Sequence, residues 1–97
     1  MDQPPAPRDN QQIQIRDGFS GGEYANMMNV GFTKEEFFMT FVNLFPPTAR
    51  TVAKVMTNPG HLKRIIKALN ESLKKYEAAF GSVEEAESPK SEIGFRQ

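Results

Sequence analysis

The sequence predicts an α+β fold, in which an antiparallel sheet of three or four strands is followed by one long C-terminal amphipathic helix. Two observations support this prediction. Side chains alternate in character at every second position through much of the span 24–56, and large apolar residues recur at every third or fourth position from Leu62 to Phe80. A period of two is typical of strands, and a period of three to four is typical of helices.

The helix is the most clearly marked element. Asn58 is a favourable N-cap residue, Pro59 suits the first helical position, and Gly81 suits the position just beyond the last turn. Between these signals, seven large apolar residues share one side of the helix and form what we call the helix stripe: Leu62, Ile65, Ile66, Leu69, Leu73, Tyr76 and Phe80. The pattern predicts a helix over residues 59–80.

Upstream of the helix, the period changes to two. Side chains alternate through residues 24–32 and, after the polar break at Thr33, again through residues 37–45. The second segment contains four phenylalanines, together with valine and threonine, which favour strands. We therefore predict a hairpin of two strands.

A third strand is predicted after Pro46-Pro47, which ends the second segment. Residues 51–56 are rich in β-branched and apolar side chains and lead directly into the helix. Ile13-Gln14-Ile15 also alternates, so residues 12–16 could add a fourth strand at the edge of the sheet.

Residues 34–44 allow a second interpretation. Thr33 and Glu36 have the spacing of a helix capping box, which would begin a helix here. In such a helix, however, Phe38 and Val42 would lie on the flank instead of the buried side. We favour the strand and keep the helix as the alternative.

The foldable part of the chain is predicted over residues 23–81, as a single α+β domain. Hydrophobic residues make up 38% of the 97 residues, compared with about 45–50% in typical domains when glycine is counted. The deficit lies at the two ends. Residues 1–22 are rich in proline and glutamine and are expected to be mobile, and residues 82–97 are expected to be an acidic disordered tail.

The predicted domain contains more large apolar residues than one small core can readily bury. The strand over residues 37–45 is apolar on both faces, and the single helix can cover only one of them. We therefore expect a homodimer that packs sheet to sheet or shares sheet edges, with a self-association face that includes Phe37, Met39 and Phe41.

Charge is balanced over the whole chain but not along it. The chain has 12 Lys and Arg against 12 Asp and Glu, whereas residues 58–80 have five basic and two acidic residues, a balance of +3. Lys63, Lys67 and Lys74 share one side of the predicted helix. Basic stripes beside aromatic sheets occur in proteins that bind single-stranded nucleic acid. A solvated helix face is the commoner explanation, and the neutral total argues against a dedicated nucleic-acid-binding protein.

The sequence contains no recognisable catalytic or cofactor motif. With no cysteine and one histidine, it lacks the residues for disulfides, thiolate metal sites, a cysteine nucleophile or a multi-histidine metal site. It has no glycine-rich phosphate loop, and His61 has no carboxylate nearby that could assist acid–base catalysis. We expect no enzymatic activity, no catalytic residue, no metal and no cofactor.

Signals for membranes and secretion are also missing from the sequence. No run approaches the roughly 20 apolar residues that cross a bilayer. The first twelve residues are polar and proline-rich and lack the apolar segment of a signal peptide. The expectation is a small soluble cytoplasmic protein that does not bind membranes.

Several short motifs resemble a known family. They are Tyr24-Ala25-Asn26, Thr33-x-x-Glu36-Phe37-x-Met39-x-Phe41, Asn58-Pro59-x-His61-x-Lys63-Arg64, Ala68-Leu69 and Lys75-Tyr76-Glu77-x-x-Phe80-Gly81. Their order and spacing are similar to those of a small prokaryotic domain-of-unknown-function family, numbered three-four-six-seven. The resemblance covers residues 23–83, with departures at Thr40 and Gly60. It implies a bacterial protein of the predicted fold, and it implies no known activity.

The resemblance also implies a role for the start of the helix. His61, Lys63 and Arg64 belong to one shared motif and could contact an anion or a partner at the positively polarised helix N-terminus. Lys67 and Lys74 extend the same basic surface. On its own, His61 would be interpreted as a surface or capping residue.

The element order further resembles one repeat of Pur-alpha-type single-strand-binding proteins, although fold does not determine function. We expect a non-enzymatic dimeric interaction module, whose protein partner the sequence does not identify. The alternative is weak single-stranded nucleic-acid binding by a Pur-alpha-like dimer of sheets and helices.

Overall fold

The computed structural model describes residues 12–87. It contains strands β1 (Met27–Phe32), β2 (Phe37–Phe45) and β3 (Thr48–Thr57), followed by helix α1 (Pro59–Phe80). The strands form one antiparallel sheet in the order β1-β2-β3, which confirms the predicted α+β class. Part of each predicted tail, residues 1–11 and 88–97, lies outside the described residues.

The first hairpin joins β1 to β2, so the helical alternative for residues 34–44 is wrong. Thr33 Oγ1 accepts hydrogen bonds from the backbone N–H groups of Glu35 and Glu36, at 3.3 and 3.2 Å. The Thr33 N–H donates to the Glu36 carbonyl at 2.9 Å and closes a turn. Threonine makes such local bonds both in turns and at helix starts, which is why the sequence resembled a capping box.

The second hairpin turns at Pro46-Pro47, whose peptide bond is cis. Phe45 lies opposite Thr48, so β3 begins three residues earlier than predicted. Farther along, Phe41 pairs with Ala53 and Val42 pairs with Thr51, which leaves Val52 as the extra residue of a β-bulge.

Residues 12–16 do not form the predicted fourth strand. They lie outside the sheet, and Ile13 and Ile15 are exposed. The alternation spans only three residues before the polar sequence Arg16-Asp17-Gly18, which is short for a strand that must hold an edge by itself.

Helix α1 has the predicted bounds because its caps form as expected. Asn58 Oδ1 accepts a hydrogen bond from the His61 N–H at 2.7 Å, and Pro59 occupies the first turn. At the other end, Gly81 has a positive φ of 101°, and its N–H donates to the Glu77 carbonyl at 2.8 Å. Glycine adopts this backbone conformation without a steric penalty.

Helix α1 does not cover the sheet, contrary to the expectation that it would cover one face of β2. Within residues 12–87, the strands pack against one another, but the helix has no comparable contact with any strand. None of its residues is buried. The only residue between β3 and α1 is Asn58, whereas connections that return a helix across its own sheet usually contain about two to six residues.

The hydrophobic core of the described chain is correspondingly small. Met39 and Val42 are the buried hydrophobic residues, at 7% and 4% exposure, and they lie on opposite faces of β2. Burial of apolar surface is the main favourable term in folding, and even a complete domain of about 60 residues is marginally stable. The described part of one chain therefore buries little apolar surface for its size.

Candidate self-association surfaces

Strand pairing divides the side chains of the sheet between two faces, because directly opposed residues lie on the same face. One of them, which we call the Met39 face, consists of three rows across the sheet: Met28–Phe41–Ala53, Val30–Met39–Val55 and Phe32–Phe37–Thr57. The predicted self-association residues Phe37, Met39 and Phe41 therefore share one face. Four large apolar residues of the neighbouring strands lie beside them.

The opposite face, which we call the Val42 face, is less apolar. Its middle row is polar and runs across all three strands as Asn29–Thr40–Lys54. Apolar residues such as Phe38 and Val42 lie on either side of this row. Because desolvating a lysine without a partner is costly, the Met39 face is the better candidate for an apolar interface.

The Met39 face is open to solvent at its Phe37 end. Phe32 is 72% exposed, and its ring centroid lies 5.5 Å from that of Phe37. Met28, Val30 and Val55 are also exposed. A contiguous apolar patch of this kind is a candidate interaction surface.

At the other end of the Met39 face, an open cavity of about 560 Å³ separates the sheet from residues 17–23. Its apolar wall includes Phe41 and Val52. A salt bridge of 3.2 Å between Glu23 and Arg50 connects this segment to β3. Both side chains are exposed, so the pair contributes at most about 1 kcal/mol.

The helix stripe is the second uncovered apolar surface. Leu62 and Ile65 are half-buried near the start of α1, and the other five members are exposed. The rings of Tyr76 and Phe80 contact one another, with centroids 5.0 Å apart. One chain thus presents an apolar sheet face and an apolar helix face that do not cover each other.

The predicted contact residues His61, Lys63, Arg64, Lys67 and Lys74 are all exposed on α1. The helical repeat places Lys63, Lys67 and Lys74 on one side, about 120° around the axis from the centre of the helix stripe. No ion pair involves these cations within residues 12–87. The backbone N–H of His61 already donates to Asn58 Oδ1. A role for these five residues in binding an anion or a partner stays a prediction.

The described residues contain neither a metal-ligand cluster nor a membrane-spanning helix. No group of three potential ligands among His, Asp and Glu could hold a metal ion there. In the same part of the chain, no helix combines the length and apolar character needed to cross a membrane.

A family model covers most of the chain. The model described as "Protein of unknown function (DUF3467)" matches residues 1–85. The chain belongs to the DUF3467 family. This confirms the resemblance seen in the sequence motifs. No curated protein matches the chain, and no solved structure matches it.

Membership of the DUF3467 family assigns no activity. A function must therefore be inferred from the two apolar surfaces, the Met39 face and the helix stripe. The sequence pattern identified the three members of the Met39 face on β2 but not those on the neighbouring strands, Met28, Val30, Phe32 and Val55. Their placement depends on strand register. Pairing the strands outward from the two predicted turns would have placed these residues beside the three on β2.

Proposed function

We propose that this DUF3467 protein is a small non-enzymatic interaction module that acts as a homodimer. The observation that carries the proposal is that the helix stripe and the Phe37 end of the Met39 face are both exposed in one chain. A second copy supplies an apolar partner for each surface. Association of two copies would enlarge the small core of the described part of one chain.

The uncovered surface is large enough for a stable dimer. Phe32, Tyr76 and Phe80 are 72%, 50% and 76% exposed. At about 200 Å² per aromatic side chain, these three offer roughly 400 Å². A standard interface takes about 800 Å² from each partner, and the aliphatic residues of both surfaces supply the remainder.

Neighbouring residues of β1 provide a matched test, because Val30 lies on the Met39 face and Asn29 lies on the Val42 face. Val30→Asp places a carboxylate in the proposed interface. We expect it to weaken the dimer by roughly 100-fold or more, since an unpaired buried charge costs about 3–5 kcal/mol. Asn29→Asp, the control, should leave the dimer intact.

The measurement is sedimentation equilibrium of the full chain at micromolar concentration. A folded wild-type monomer would contradict the proposal. Equal effects of the two substitutions would remove the Met39 face from the interface.

One observation favours a second function, weak binding of single-stranded nucleic acid. Lys63, Lys67 and Lys74 are exposed and lie outside the helix stripe, so a dimer that buries the stripe would leave them available for phosphates. Base stacking on Phe32 or Phe37 would compete with dimerisation, because these rings lie on the Met39 face. An oligonucleotide that stacks on these rings should therefore lower the proportion of dimer, whereas a module that only self-associates predicts no effect of oligonucleotide on the dimer.

A further inference from the structure

We propose that the dimer forms by helix exchange, in which α1 of each protomer packs its helix stripe on the Met39 face of the partner subunit. This inference rests on the proposed homodimer and specifies how its two surfaces are covered. It follows from the way α1 leaves the sheet, from the dimensions of the two surfaces and from their chemistry.

The junction between β3 and α1 determines the direction of the helix. Asn58 is extended, with φ −86° and ψ 162°, and a residue before proline is restricted to this region. Its Oδ1 accepts from the His61 N–H at 2.7 Å, and its carbonyl accepts from the Leu62 N–H at 3.0 Å. A single residue held by these constraints directs α1 away from its own sheet, with which it makes little contact.

Helix α1 is long enough to span the Met39 face. It has 22 residues, which span about 33 Å at 1.5 Å per residue. The three rows of the Met39 face run from Phe37 to Phe41 of β2, which is about 17 Å. A helix lying along β2 of the partner could therefore contact all three rows.

The two surfaces also match in chemistry. The Met39 face contains seven large apolar side chains, and Thr57 is the one polar member of its three rows. The helix stripe contains large apolar residues alone. The Val42 face fits the stripe less well, because packing there would bury the polar row that contains Lys54.

Other symmetric arrangements cover less of the exposed apolar surface. Pairing the two helices through their stripes would leave both Met39 faces in water, and packing the two sheets together would leave both stripes in water. Helix exchange covers both surfaces with one type of contact, which is repeated by the two-fold symmetry of a homodimer.

The natural chain has no cysteine, so every thiol that a cross-linker joins is an engineered one. A Val30→Cys chain is refolded together with a second, differently tagged chain that carries Ile66→Cys, Leu69→Cys or Leu73→Cys. A short thiol–thiol cross-linker is then added. We expect a dominant cross-link between the two different chains for at least one stripe position. Lys67→Cys, on another side of the same helix, is the control and should give only background.

The possible results separate the two proposals. If the mass is that of a dimer but the cross-links join only helix to helix or sheet to sheet, helix exchange is overturned and the homodimer stands. A folded monomer overturns both proposals.

A second experiment lengthens the junction by inserting Gly-Gly-Ser between Thr57 and Asn58, which keeps the helix cap intact. With a longer hinge, α1 can fold back on its own sheet, because short hinges favour exchange between chains. We expect the sedimentation mass to fall from two chains to one with no loss of helical circular dichroism. The same insertion after Gly81 should leave a dimer. A dimer that survives the junction insertion would contradict the proposal.

Discussion

The side chain of Asn26 forms hydrogen bonds with the backbone of Leu44 in both directions. Its Nδ2 donates to the Leu44 carbonyl at 2.9 Å, and its Oδ1 accepts from the Leu44 N–H at 2.8 Å. The Asn26 N–H also donates to the Val42 carbonyl at 3.1 Å. The side-chain amide thus extends the β1–β2 ladder beyond Met27. Because a shift of one residue would exchange the faces of a strand, Asn26 helps to keep Val30 on the Met39 face.

Replacement of Asn26 by alanine should destabilise the protein by about 1–2 kcal/mol, because each of the two hydrogen bonds contributes about 0.5–1.5 kcal/mol. Asn26→Asp keeps the acceptor for the Leu44 N–H but turns a carboxylate oxygen toward the Leu44 carbonyl, so it should also destabilise the protein. The free energy of unfolding in urea measures both effects. The control is Asn29→Ala, since Asn29 makes no side-chain hydrogen bond among the described residues. Equal stabilities of Asn26→Ala and Asn29→Ala would show that the Leu44 contact is unimportant.

Replacement of Asn58 by alanine should destabilise α1 by about 0.5–2 kcal/mol, because the His61 N–H loses its acceptor at the N-cap. Asn58→Asp should retain most of the stability, since its carboxylate also accepts this bond. Thermal unfolding followed by helical circular dichroism tests the effect. Asn70→Ala, in the middle of the same helix, should be neutral or stabilising. A larger loss at Asn70 than at Asn58 would contradict the role of the cap.

Thermal stability should depend on protein concentration if two chains share one core. Mass action predicts that a hundredfold increase in concentration stabilises the dimer by about 2.7 kcal/mol, which corresponds to a rise of roughly 5–10 °C in Tm. Scanning calorimetry over the micromolar range measures this shift. Val30→Asp should lower the Tm at every concentration, because it weakens the dimer. A wild-type Tm that stays constant across the range would be evidence for a self-sufficient monomer.

If the protein binds single-stranded DNA, substitution of Lys63, Lys67 and Lys74 together by glutamine should weaken that binding. Loss of three phosphate contacts should reduce the slope of log affinity against log salt by about 2. Fluorescence anisotropy with an oligonucleotide at several salt concentrations measures both quantities. Lys54→Gln, on the Val42 face, is the control. Absence of wild-type binding at about 50 mM salt, where phosphate contacts are strong, would eliminate this function.

The secondary structure was largely predictable because its signals are local. Asn58, Pro59 and Gly81 act within one turn of α1 and therefore located both of its ends. Thr33 was ambiguous, since its hydroxyl makes the same short-range bonds in a turn as at a helix start. Residues 12–16 illustrate the limit of a short alternating pattern, which did not form a strand.

The arrangement of the elements was harder to predict. Alternation along β2 identified Phe37, Met39 and Phe41, but the rest of the Met39 face depends on pairing between residues distant in sequence, such as Asn26 and Leu44. The helix stripe predicted burial without specifying which chain supplies the partner surface. The short β3–α1 junction was the one indication that α1 does not pack on its own sheet. Connections that return a helix across its own sheet usually contain about two to six residues.

Sedimentation equilibrium of the unmodified full chain tests the central claim most directly. The claim is that a second copy completes the core around the Met39 face and the helix stripe. We predict a folded species with the mass of two chains at micromolar concentration, together with helical circular dichroism. A folded species with the mass of one chain over the same range would contradict it.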